Sequence, residues 1–361
     1  MFAPNTEHKT AQARYNRRMI PLSILDLAPV PEGSTPTDAL RNAKDLVQHA
    51  ERWGFNRYWV AEHHNMQGIA SAATSIVIAH LAGATSTIRV GSGGIMLPNH
   101  APLLIAEQFG TLATLFPGRI DLVLGRAPGT DQRTAQALRR NMNGSVDDFP
   151  RDVVELQHYL QPPQPGQAVV ATPGAGTEVP LWILGSSLYG AGLAAMLGLP
   201  FAFASHFAPA YMEAAIDLYR EKFEPSEQLE KPHVMLGYNV FAADTDEEAQ
   251  LLQTSMMQSF VRLRRGTPGK MPPPKADFIE TLSPPERQML AEVARCSAIG
   301  APGTVAAAMS SFVASTGADE LMVVSSIYDH QKRLRSFEIV ADLISREDDS
   351  HSNARLLEAA N

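Results

Sequence analysis

The chain has 361 residues, 45% hydrophobic and 19% charged, and its 30 basic and 38 acidic side chains give a formal charge of −8. That length buries a large core, while the acidic balance and short, interrupted apolar runs argue against a nucleic-acid or membrane partner. The single cysteine, Cys296, can neither close an internal disulfide nor build a cysteine-rich zinc site, so the expectation is a soluble protein of a reducing compartment, the cytoplasm.

Residues 1–19 are polar and basic, lack the apolar stretch of a secretory signal, and read as an extension. Ile20 to Leu27 then reads as a strand. Thr35-Pro36-Thr37-Asp38 supplies a helix cap, a proline suited to the first helical position and an early carboxylate. Leu40, Ala43, Leu46, Val47, Ala50 and Trp53 follow at helical spacing, and Gly54 closes the helix. Further strands are expected at Arg57–Ala61, Ile88–Leu97 and Ile120–Leu124, with helices over 70–85, 102–116 and about 145–160. Residues 161–180, rich in Pro, Gly, Gln and Thr, read as an excursion loop. Leu181–Leu184, Phe201–Ala204, Val234–Ala242 and Leu321–Val324 complete the strands. Residues 263–300 break the alternation and read as an insertion and a candidate mobile lid, and 347–361 as a tail. Eight strand–helix units over 20–346 suit a (β/α)8 TIM barrel with insertions, a single domain; a doubly wound sheet is the competing architecture.

In such a barrel the chemistry sits at the carboxyl ends of the strands. Those ends read Leu25-Asp26, Glu62-His63-His64, Ser92-Gly93-Gly94, Gly125-Arg126, Gly185-Ser186-Ser187, Ser205-His206, Asn239 and Ser325-Ser326. Hydroxyls, glycines and one guanidinium suit an anionic ligand. Arg126 can form two charge-assisted hydrogen bonds to a phosphate. Beside it, LGSSLYGAG (184–192) opens a helix whose first N–H groups, from Ser187 to Gly190, face the same region. A tight turn accounts for the same glycines, and the pairing with Arg126 favours the ligand. GSGGIML (91–97) offers either a tight bend or a bare floor for a flat ring. Strand alternation allows only one of His63 and His64 to face the axis, so no metal site is expected there. His80, His158 and His351 read as surface or packing residues, and Trp59, Met96 and Trp182 as core.

WVAEHHN (59–65), GSGGIMLPNHAP (91–102), AEQFGTLATLFPGRIDLVLGR (106–126) and PLWILGSSLYGAGLAA (180–195) resemble the bacterial luciferase-like flavin-dependent monooxygenases. The stretch from Ile299 to Ile344 fits that family's last units, so the resemblance covers most of residues 20–345. It implies a (β/α)8 barrel binding FMN, usually reduced FMN from a separate NAD(P)H:flavin reductase. It also implies oxidation of a small organic substrate with O2 through a C4a-peroxyflavin. By position it makes His63 the catalytic histidine and gives the phosphate to Arg126, Ser186, Ser187, Leu188 and Gly190. Gly93 and Gly94 fall where the family can carry a non-proline cis peptide under the ring, and Asp26 and Asn65 become pocket-wall candidates. Gly125 stands where bacterial luciferase has a reactive cysteine, so neither light emission nor an aldehyde substrate carries over. A homodimer is expected, with the Ala-rich faces of 70–85 and 102–116 as docking candidates, although core packing explains the same pattern. Competing readings are a deazaflavin (F420)-dependent hydride-transfer enzyme of the same fold and a flavin-binding protein without turnover. A metal hydrolase would need a His-x-His pair on an early strand, which the sequence lacks.

Overall fold

A computed structural model describes residues 20–127, 132–138 and 148–343. The expected extension at 1–19, the tail at 347–361 and His351 lie outside them. Strands β1 (Leu22–Asp26), β2 (Arg57–Val60), β3 (Arg89–Ser92), β4 (Ile95–Met96), β5 (Ile120–Gly125), β6 (Leu181–Gly185), β7 (Phe201–Phe203), β8 (Val234–Ala242), β9 (Ser297–Gly300) and β10 (Glu320–Val324) form one parallel sheet. The order β1-β2-β3-β5-β6-β7-β8 continues to β10, which pairs with both β8 and β1 and closes an eight-strand barrel. The expected barrel is therefore the observed one.

Helices α1 (Pro36–Arg52), α2 (Thr74–Ala82), α3 (Pro102–Leu115), α4 (Gln132–Leu138), α5 (Phe149–Leu160), α6 (Leu188–Met196), α7 (Met212–Lys222), α8 (Asp246–Arg264), α9 (Pro284–Ala294) and α10 (Pro302–Thr316) lie along the chain between strands. A last helix, α11, runs over 330–343. Helix α1 shows how local chemistry sets a boundary. Thr35 Oγ1 accepts from the Asp38 N–H, and the Asp38 carboxylate accepts from the Thr35 N–H. This reciprocal pairing is the capping box, with Pro36 in the first turn. No helix among the described residues is long and apolar enough to cross a membrane.

Two expectations change. The single strand predicted over Ile88–Leu97 is split into β3 and β4 around a cis Gly93–Gly94 peptide bond. The insertion at 263–300 is not one loop: α8 runs to Arg264, and α9 and β9 follow, with β9 pairing β8 outside the closed barrel. Proline-rich sequence hid α9, whose Pro284 occupies the first helical position behind a Ser283–Glu286 capping box. The irregular part is also fastened. Met271 exchanges backbone hydrogen bonds with Val30 and Glu32, and Gln258 donates to the Pro273 carbonyl at 2.8 Å.

The barrel interior is filled by Leu25, Trp59, Val123, Trp182, Met235 and Met322. Below them, at the amino ends of the strands, Arg57 joins two buried carboxylates, Asp121 at 2.9 Å and Glu320 at 3.1 Å. Arg89 also donates to Asp121, while Ser23 and Asn56 donate to Glu320. Burial works against the charged form of Glu320, but hydrogen bonds and the Arg57 charge outweigh it and lower its pKa. Removing the cation leaves buried Glu320 without an arginine and Asp121 with Arg89 alone, so Arg57→Ala should cost about 3–5 kcal/mol in urea unfolding at pH 7. A loss below about 1 kcal/mol would show that Arg57 does not hold this floor together.

Candidate active site

Above the core, at the carboxyl ends of the strands, opens a cavity of about 930 Å³. That is room for a cofactor-sized ligand with a second molecule beside it. His63, Gly93, Arg126, Ser186, Ser187 and Gly190 line it, as does Asn65. Residues from four different loops thus line one cavity.

Arg126 leaves β5 at the cavity edge, and its guanidinium carbon lies 3.9 Å from the centre of the Tyr189 ring. Stacking on Tyr189 fixes the plane of the fork and leaves its edge for an anion. Helix α6 starts beside it. Ser187 is the cap residue, yet its side chain makes no capping hydrogen bond, so the first-turn N–H groups keep their capacity for a ligand. Close approach of the turn to its own strand needs glycine at both ends: a Cβ on Gly190 would lie 3.3 Å from Gly185 Cα. Leu188 does not line the cavity, and its side chain is 42% exposed, so only its backbone is suited to the predicted contact.

Three expectations are revised. Asp26 is fully buried and does not line the cavity. It accepts from Arg333 Nη2 at 2.8 Å and from the Tyr58 hydroxyl, and Arg333, held also by the Ser325 carbonyl, lines the wall in its place. Gly94 is not on the cavity wall, and the glycine pair answers to packing. A Cβ on Gly93 would lie 2.7 Å from Leu25 Cδ1, and one on Gly94 would lie 2.7 Å from the Val123 carbonyl oxygen. His63 and His64 both line the cavity, because β2 ends at Val60 and alternation ends with it.

His64 is nevertheless committed elsewhere. Its Nε2 lies 2.8 Å from Glu62 Oε1, His100 Nε2 lies 2.9 Å from the same oxygen, and the Met96 N–H donates to Oε2 at 2.9 Å. Burial tends to raise the Glu62 pKa, but the hydrogen bonds from His100, His64 and Met96 prevail and lower it. The ligand atoms of Glu62, His64 and His100 lie within 4.8 Å of one another, a spacing a metal ion can share. Their present arrangement is a carboxylate holding two loops together. Met96, expected in the core, is largely buried but also touches the cavity.

Sequence reasoning passed over other wall residues. Phe207 and Phe260 pack with ring centres 5.2 Å apart, and Met256, Leu263 and Met271 continue this apolar side. Of the candidate lid, the stretch Gly266–Met271 reaches the cavity. Phe260 and Met256 sit on α8 with no motif to distinguish them from core, and only folding brings them to the rim. His206 appeared among the strand ends without a role. Burial, helped by repulsion from His63, lowers its pKa to about 4.

A family model described as luciferase-like monooxygenase matches residues 20–320. The chain belongs to that family. A luciferase-like monooxygenase of Escherichia coli strain K12 is 54% identical over 326 residues, covering 90% of this chain and 97% of the relative. The N-acetyl-S-alkylcysteine monooxygenase of Bacillus subtilis strain 168 is 37% identical over 238 residues, 64% of this chain and 70% of that one. Among solved structures, apo-MsnO8 aligns with a TM-score of 0.81 at 36% identity, covering 91% of this chain and 99% of that one. The fold also extends to the FMN complex of the oxygenating constituent of 3,6-diketocamphane monooxygenase from Pseudomonas putida, with a TM-score of 0.67 at 17% identity over 90% of this chain and 98% of that one. The family and its monooxygenase members support an oxidoreductase.

The low pKa of His206 has a consequence for stability. An unfolded histidine takes up its proton near pH 6.5, whereas folded His206 does so only near pH 4. The unfolded chain therefore binds more protons in that window. The stability tied to neutral His206 is complete above about pH 6.5 and is lost as the pH falls toward 4. Between pH 7 and 4.5 the melting temperature of His206→Phe should fall less than that of the wild type. Parallel slopes would show that the imidazole is not buried in the neutral form.

Proposed function

We propose that the protein is the oxygenase component of a two-component flavin system. It binds reduced FMN supplied by a separate NAD(P)H:flavin reductase and uses O2 to oxidise a small organic substrate. The observation that carries this reading is the pairing of Arg126 with the uncapped first turn of α6 on the wall that His63 also lines. A guanidinium fork and converging N–H groups suit a phosphate dianion. The cavity volume, about 930 Å³, accommodates the rest of the cofactor and leaves space on the Phe207–Phe260 side for an apolar substrate. These residues fit the group.

When bound, reduced FMN supplies the electrons that activate O2. The remaining work falls to the chain itself. Arg126 and the amides of Ser187 to Gly190 anchor the phosphate, and Gly93 lets the backbone approach the ring. His63 is positioned to hold or transfer a proton at its imidazole as the substrate is oxidised. Phe207, Phe260 and the Gly266–Met271 turn cover the apolar side and exclude water, which the chemistry requires if oxidant is not to be wasted as hydrogen peroxide. A homodimer across α2 and α3 belongs to the same reading, supported by the exposure of Ile76, Leu104 and Leu115 on those helices.

Two substitutions separate binding from chemistry. Arg126→Ala should weaken FMN by roughly 2–4 kcal/mol in a fluorescence titration, because the lost contact is charge-assisted and half-buried. His63→Ala should leave FMN affinity within about threefold of wild type while NADH oxidation by the reductase pair is diverted from product to peroxide. Turnover unchanged in His63→Ala would remove the histidine from the mechanism, and a chain that bound deazaflavin in preference to FMN would turn the assignment to hydride transfer.

A further inference from the structure

His206 differs from the other imidazoles at the rim. Its Nδ1 is buried and has no hydrogen-bond partner among the described residues. The ring lies against Gly237 of β8, where a Cβ would come within 2.1 Å of Nδ1, so the barrel wall is cut back to admit it. Beneath it, Leu25, Trp59, Met235 and Met322 surround a small apolar hollow that the ring also touches. A buried ring nitrogen without a partner works against folding, and a phenyl group of similar shape would suit these neighbours better. Packing alone therefore does not account for an imidazole at this position.

Its placement points to a ligand. The Ala204 N–H donates to the Gly185 carbonyl at 2.9 Å, joining the end of β7 to the end of β6, where the Ser186–Ser187 turn begins. Asn239 Nδ2 donates to the His206 carbonyl at 2.8 Å and fixes the backbone from the β8 side. In the closed ring of strands β7 stands opposite β2, and His206 and His63, in the loops that follow them, both line the cavity. A ligand anchored at Arg126 shares that cavity with both imidazoles.

We propose that His206 is a cofactor-binding residue that hydrogen-bonds the polar edge of the flavin ring. The inference rests on the flavin reading above. That edge carries both carbonyl acceptors and N–H donors, and Nε2 of a neutral imidazole donates in one tautomer and accepts in the other, so either tautomer finds a partner there. Nδ1 stays against Gly237, so the bond to the cofactor would be made by Nε2, and that bond would account for an imidazole kept here despite the unpartnered Nδ1.

The test is titration of the full-length protein with oxidised FMN, and anaerobically with reduced FMN, in three variants. His206→Phe keeps the ring volume without the nitrogens, His206→Asn sets an amide near the Nδ1 position, and His206→Gln sets one near Nε2. His206→Gln should bind within about threefold of wild type, and the Phe variant should bind at least one redox form about tenfold more weakly. In the absence of flavin its melting temperature at pH 7 should equal or exceed that of the wild type. Affinity within about twofold of wild type in His206→Phe would overturn the proposal. So would a fall in melting temperature with affinity retained, the signature of a packing role. A wild-type chain that took up neither form of FMN would overturn the flavin reading and this one together.

Discussion

The pairing of β10 with both β8 and β1 is the contact on which the site depends. Every strand is parallel, so once the ring closes, all the strand ends that carry polar residues stand on one rim. Arg126, Ser187, His206 and His63 come from four strands that are far apart in sequence. An open sheet would spread them along an edge, whereas the closed barrel turns them toward a common centre. Closure also confines Trp59, Trp182, Met235 and Met322 to the interior, where they pack into one buried cluster.

Buried charge is divided between the two ends of this barrel. At the amino end, Arg57 and Arg89 neutralise Asp121 and Glu320 and tie several strands together below the core. At the carboxyl end, two carboxylates serve as brackets for the site. Asp26 holds Arg333 from α11 against the cavity wall, and Glu62 ties the loop after β2 to the turn after β4 through His64, His100 and the Met96 amide. Each carboxylate is saturated with donors, as a charge removed from water requires. The first turn of α6, at the cavity, keeps unused hydrogen-bonding capacity, and His206 Nδ1, His233 Nε2 and Ser255 Oγ are buried without partners among the described residues.

The sequence was sufficient for the eight barrel strands and for α1 with its Thr35–Asp38 cap. These rest on local physics: hydrophobic periodicity, capping chemistry and the short reach between a strand end and the helix that follows it. Local rules also explain the misreadings. Pro284 and Pro285 look like loop until they occupy the first turn of α9, and alternation misplaces His64 because β2 stops at Val60.

Tertiary structure alone decided the rest. Asp26 is a polar residue at a strand end like Arg126, and only the arrival of Arg333 from 307 positions later makes it a buried bracket. Phe207 and Phe260 meet because α8 brings Phe260 against the loop after β7, a contact with no local signature. The fold class, the family resemblance and the set of candidate residues were legible along the chain, since periodicity and motif spacing are local. Which of those residues face the cavity, which are spent on buried charge and which keep a free hydrogen-bonding atom depends on partners distant in sequence, and closure of the barrel brings them together.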